Sequence, residues 1–131
     1  MKSRQYDKII CLDFDGVINL YKGWRNEGFN VILDNCVVKG AKEAIEKLRK
    51  DHLVIIHSTR CSHRGGKKAI KKWLKKHKIK VDKVCANKPL ADIYIDDRAI
   101  GFDGDWKKTL SKIKRFKQWC TGSIGVEHVI K

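Results

Sequence analysis

Apolar residues fall along this chain in blocks whose period changes from one block to the next. "DKIICLDF" is a near-continuous apolar run, the pattern of a strand buried on both faces. "LVIIHS" repeats it some forty residues later. Between them, "KGAKEAIEKLRKD" puts Ala41, Ala44, Ile45 and Leu48 on one side at helical spacing, which predicts a helix. "GGKKAIKKWLKKHK" predicts a second helix, with a narrow apolar stripe of Ile70, Trp73 and Leu74. "VDKVCA" and "ADIYID" read as short third and fourth strands, and "NVILDN" as a short strand or a loop. "DWKKTLSKIKRFKQW" reads as a closing helix with Asp105 at its N-cap and Trp106, Leu110, Ile113 and Phe116 as its inner face. Strands alternating with helices predict a Rossmann-like three-layer α/β domain, its mainly parallel sheet covered on both sides.

The length of 131 residues suits one domain covering the whole chain, 1–131, with a core large enough to need no staple. No apolar run approaches the ~20 residues of a membrane span. The N-terminal stretch "MKSRQYDKII" lacks the apolar core of a signal peptide, so a cytoplasmic protein with no membrane partner is expected. Cys11, Cys36, Cys61, Cys85 and Cys120 are odd in number and without CxxC spacing, which favours reduced thiols over disulfides. The same lack of paired spacing weighs against zinc at Cys61, His63 and Cys85. Charge changes the picture most. A formal net charge of +15 favours anionic partners: nucleic acid, nucleotides or phosphorylated metabolites.

In a parallel α/β sheet, ligands bind at the carboxyl ends of the strands. Asp13 and Asp15 follow the first predicted strand, Ser58, Thr59 and Arg60 the second, and Asp96 and Asp97 the fourth. Lys88 stands in the turn marked by Asn87 and Pro89 just before that last strand. All of them would gather at one edge of the sheet. Carboxylates so close together repel and lose hydration unless a positive charge sits among them, and a divalent cation would supply it.

These residues, in this order, resemble the four motifs of the haloacid dehalogenase (HAD) superfamily of phosphatases. "DFDGV" is similar to the first motif, "VIIHSTR" to the second, the lysine of "NKP" to the third and "IYIDDRA" to the acidic fourth. The resemblance spans residues 9 to 98 and extends to small members without a cap. It implies a HAD-like fold and a Mg²⁺ held by Asp13, the backbone carbonyl of Asp15, and Asp96 with or without Asp97. Asp13 is then the nucleophile that forms an aspartyl-phosphate, and Asp15 the group that protonates the leaving oxygen and later deprotonates water. Ser58 hydrogen-bonds the phosphoryl group and Lys88 offsets its charge. Either Ser58 or Thr59 fits the second-motif hydroxyl; strand alternation favours Ser58, with Arg60 completing a hydroxyl-x-Arg pattern. Gly16 permits the turn that aims backbone N–H groups at phosphate.

About forty residues separate Asp15 from Ser58 and about thirty separate Ser58 from Lys88, too few for a substantial cap. The site is therefore expected to be open, with "NLYKGWRNEGF" as its flap and Trp24 either packing that loop or stacking on substrate. From Ser62 to Val81 the chain carries nine lysines and arginines and no acid. That is a solvated helix face or a track for a polyanion, with Arg60, His63 and Arg64 between the second motif and the helix. The expected activity is a Mg²⁺-dependent phosphomonoesterase acting on a nucleotide, a phosphorylated nucleic-acid end or another phosphorylated metabolite. The alternative is a basic nucleic-acid-binding protein without catalysis on the same fold. A receiver-like signalling domain fits less well, because its phosphoacceptor follows its first acidic pair, whereas here DxDG comes first.

Overall fold

The computed structural model describes residues 5–20 and 29–119. Four strands, β1 (Ile9–Asp13), β2 (Leu53–His57), β3 (Lys83–Cys85) and β4 (Ile93–Ile95), form one sheet in the order β3-β2-β1-β4. Every pairing is parallel. Helices α1 (Ala41–Leu48), α2 (Gly66–Lys76) and α3 (Trp106–Arg115) follow β1, β2 and β4. This is a parallel α/β sheet of the Rossmann-like kind. None of the described helices is long and apolar enough to cross a membrane.

The apolar runs of β1 and β2 become the two central strands because only there are both faces of a strand sheltered. Ile10, Leu12 and Phe14 line up with Val54 and Ile56 on one face and meet Ile70, Trp73 and Leu74 of α2 and Ile45 of α1. Trp73 is the largest fully buried side chain. Its ring stands edge-on to Phe14 at 5.0 Å, and its indole N–H donates to the Asn35 carbonyl at 3.1 Å. That bond straps the segment over Phe29–Asp34 across α2. "NVILDN" lies mostly within that segment, which is a 3₁₀ turn rather than a strand.

Two aspartates set the register of the edge strands. Asp82 accepts from the Val54 N–H at 2.8 Å while its own N–H donates back to the Val54 carbonyl, fixing the approach of β3 to β2. Asp92 does the same to Ile9, at 2.7 Å, before β4. With Leu12 paired to Ile95, the next residues along the two strands are Asp13 and Asp96.

The closing helix departs from expectation. Asp105 caps it as predicted, accepting from the Lys108 N–H at 3.1 Å. Its predicted inner face is not buried: Trp106, Leu110, Ile113 and Phe116 are all exposed. So are Ile93, Tyr94 and Ile95 of the edge strand β4, and among the described residues α3 packs extensively against no other helix or strand. Among the described residues, α3 therefore leaves β4 uncovered, although Cys11 and Ile55, on the face of the sheet opposite Ile10 and Leu12, are buried. Periodicity establishes that a helix is amphipathic but not what it packs against. Here α3 is tied to its own leading loop instead, by Lys108 to Asp103 at 3.0 Å and Lys112 to the Gly101 carbonyl at 3.3 Å. Cys11, Cys36, Cys61 and Cys85 are free thiols, as expected.

Because Trp73 joins core packing to the strap over α2, Trp73→Ala should cost about 3–5 kcal/mol, read as a fall in the urea midpoint. A loss below about 1 kcal/mol would show that this contact is not central to the core.

Candidate functional site

Strand order places the site. The chain moves from β1 outward to β2 and β3, then returns to the other side of β1 for β4. The crevice beyond the carboxyl ends of β1 and β4 lies at this reversal, where open parallel sheets bind ligands. Asp13 ends β1, and Asp96 and Asp97 follow β4 directly. One carboxylate oxygen from each of Asp13, Asp96 and Asp97 lies within 4.8 Å of the others.

Such a cluster is electrostatically uncomfortable. Burial, and then the neighbouring Asp96 and Asp97 carboxylates, push the Asp13 carboxyl up to about 8. Asp97 is pinned on one side only. Its Oδ2 accepts from the Gln118 side-chain amide, while its buried Oδ1 has no hydrogen-bond partner. Three clustered carboxylate oxygens are the kind of donor set that a hard divalent cation such as Mg²⁺ takes.

The DxDG turn is built around this cluster. Gly16 has a φ of 82°, in the left-handed region, and a Cβ there would collide with the Asp97 carboxylate. The turn closes through the Gly16 N–H to the Asn19 carbonyl and the Asn19 N–H to the Phe14 carbonyl, both at 2.9 Å. Asp15 is not one of the three clustered carboxylates and sits in its own clasp. Its Oδ1 accepts from the Asn19 side chain at 2.9 Å and its Oδ2 from Arg60 Nε at 2.7 Å.

Arg60, read from the sequence as a substrate contact, is buried and held in this ion pair. Ser58 is buried directly after His57, the residue that pairs with Asp13, and its Oγ accepts from the Arg60 N–H at 3.2 Å. Thr59 is exposed and starts the 3₁₀ turn over Thr59–Ser62; Arg64 is exposed beyond it. Gly66 has no room for a side chain, because a Cβ would strike the Arg60 carbonyl. The start of α2 thus backs the arginine that holds Asp15.

Lys88 is exposed, with its ammonium 4.5 Å from the centre of the Tyr94 ring. Tyr94 in turn accepts from the Ala91 N–H at 3.0 Å and donates to the Pro89 carbonyl, which holds the lysine's turn in place. Burial, with Cys85 and Asp13 nearby, pushes the Cys11 thiol up to about 11, and Lys88 opposes that shift. His57 donates to the Ala86 carbonyl at 3.0 Å and is half-buried in the strand. Trp24 lies outside the described residues.

Three contributors were not legible beforehand. Asn19 is fully buried against Asp15; its only sequence signal is an amide flanked by Ile18 and Leu20. Gln118 reaches Asp97 and also accepts from Arg98 at 3.0 Å. Trp119 donates its indole N–H to the Gly16 carbonyl at 2.7 Å. Both follow α3 and carry no motif. Compared with family models, curated proteins and solved structures, the chain finds no significant match.

The raised Asp13 sets a sign for stability. The folded state keeps a proton that the unfolded chain releases near pH 4, so without metal this group's favourable contribution is full below about pH 4 and is lost as pH rises through about 8. In EDTA, Asp13→Asn should therefore melt above the wild type by a margin that widens from pH 5 to pH 8. Mg²⁺ should raise the wild-type melting temperature and leave that of Asp13→Asn almost unmoved. A margin independent of pH would refute the clustered-carboxylate geometry. Gly16→Ala should displace Asp97 and remove the Mg²⁺-induced shift in the same melting assay.

Proposed function

We propose that the protein is a Mg²⁺-dependent phosphomonoesterase of HAD-like type, with Asp13 as nucleophile. The observation that carries this reading is the meeting of Asp13, Asp96 and Asp97 at the reversal of strand order, on residues that also resemble the HAD motifs. Asp13, Asp96 and Asp97 would hold the ion, which supplies the positive charge that lets Asp13 ionise beside its neighbours and lets a phosphate dianion approach.

The chain's own residues do the rest. An Asp13 oxygen attacks phosphorus and the P–O bond to the leaving group breaks; Asp15, ion-paired to Arg60 at rest, takes a proton from solvent and passes it to the departing oxygen. Water then attacks the aspartyl-phosphate, Asp15 takes the water's proton, inorganic phosphate leaves and Asp13 is restored. Asn19 and Arg60 fix the rotamer of Asp15 for both steps. Lys88, held over Tyr94, offsets charge on the phosphoryl oxygens, and Ser58 or Thr59 supplies a hydroxyl to them. The alternative of nucleic-acid binding without turnover has no use for three clustered carboxylates, which would repel a polyanion.

The test is turnover of p-nitrophenyl phosphate, nucleotides and 5′- or 3′-phosphorylated oligonucleotides. Activity should need Mg²⁺, vanish reversibly in EDTA and be abolished by Asp13→Asn. Full metal-dependent activity in Asp13→Asn would remove Asp13 as the nucleophile. Arg60→Lys, which keeps charge but not the Nε contact to Asp15, should lower kcat more than it raises KM.

A further inference from the structure

Far from the acidic cluster in chemical character, a cavity of about 820 Å³ opens between α2 and the edge strand β3. Lys67, Lys71 and Lys75 line it from one stripe of α2, Lys78 and Lys80 from the turn that follows, and Lys83 from β3. Its lining includes a single carboxylate, Asp82, whose two oxygens accept from Arg49 Nη2 at 3.0 Å and from the Val54 N–H at 2.8 Å. Among the described residues, none of the six lysines has a carboxylate within ion-pair distance. Six lysines around one concave surface, with a single carboxylate already paired to Arg49, create a strong positive potential.

A second observation comes from the backbone. The end of α2 closes as a Schellman motif: the Ile79 N–H bonds the Leu74 carbonyl at 2.9 Å and the Lys78 N–H bonds the Lys75 carbonyl at 3.1 Å. The left-handed residue of that motif is normally glycine. Here it is Lys78, with a φ of 57°, the one non-glycine residue with positive φ among those described. A lysine thus occupies a position where glycine would be more stable, and its side chain lines the cavity. Strain of this kind is kept where a side chain has work to do.

We infer that this groove binds the sugar–phosphate backbone of a nucleic acid, independently of its base sequence. From Lys67 to Lys78 the stripe runs about 16 Å, the axial length of about five phosphates on one strand of a duplex. No aromatic side chain lines the cavity, so bases have nothing to stack on and the backbone is what is recognised. An anionic membrane fits less well: the apolar residues of α2, Ile70, Trp73 and Leu74, are buried in the core, and a membrane-surface helix needs them free. The stripe begins beside Gly66, which packs on the arginine that holds Asp15. The groove is nonetheless a separate site, and its test does not depend on turnover.

The experiment is fluorescence anisotropy with a short labelled DNA duplex, in EDTA and with Asp13→Asn protein, so that neither metal nor catalysis enters. The logarithm of affinity should fall with the logarithm of salt concentration with a slope of about −3 or steeper. Replacing Lys71, Lys75 and Lys78 together by Gln should weaken binding at least ten-fold at low salt and reduce the slope by between about two and three. The same charge removed from α3 (Lys107→Gln, Lys112→Gln, Lys114→Gln) should leave both quantities near wild type. Lys78→Gly alone should raise the melting temperature by about 3 °C while weakening binding, since relief of backbone strain and loss of a contact act in opposite directions. No saturable binding, equal loss in the two triple variants, or displacement of the duplex by phosphatidylserine vesicles at matched charge would overturn the inference. A catalytically dead protein that still binds, or an active one that does not, separates this site from the phosphatase reading.

Discussion

Three carboxylates that repel one another are held together by parallel strand pairing. Asp13 and Asp96 come side by side because β4 docks on β1 in the register that the Asp92–Ile9 clasp fixes. Asp97 is then drawn over the DxDG turn, where the missing side chain of Gly16 leaves the space it fills. Backbone hydrogen bonding and core burial thus stabilise a local arrangement that electrostatics opposes. The opposition is registered in Asp13, whose proton is held to about pH 8, and in an Asp97 oxygen left without a partner. Such stored repulsion is a common property of sites that wait for a cation.

Around that cluster the protein separates its charges. Asp15 is neutralised by Arg60, so the acidic pair of the turn is divided into one carboxylate for the cluster and one for the arginine. The lysines of α2 lie on its outer side, away from the core that Ile70, Trp73 and Leu74 enter. One helix therefore links the two regions: its first residue, Gly66, packs on Arg60, and its end turns through Lys78 into the basic groove. The charge is spread unevenly, with three carboxylates clustered at the ends of β1 and β4 and six lysines around the groove beside β3.

The two central strands, the three helices and the acidic residues were legible in sequence because each follows from a local rule. Continuous apolar runs specify β1 and β2, helical spacing specifies α1 and α2, and Asp105 marks the start of α3. What escaped depends on long-range contact. Nothing in "KQW" distinguishes Gln118 and Trp119 as neighbours of Asp97 and Gly16, since the first contact is 21 residues away in sequence and the second 103. Arg60 reads equally well as a substrate contact or an internal partner until the Asp15 carboxylate is placed beside it. The apolar stripe of α3 predicts burial by default, whereas among the described residues the helix is tied to its own preceding loop and its stripe stays exposed.

The convergence of the carboxylates on one cation is most directly read by calorimetric titration of the metal-free protein with Mg²⁺. One ion per chain, with affinity reduced at least about ten-fold by Asp96→Asn and by Asp13→Asn separately, is the expected result. Absence of saturable binding, or wild-type affinity in either variant, would show that residues 13 and 96 do not share a metal, and the assignment of this site would fall with them.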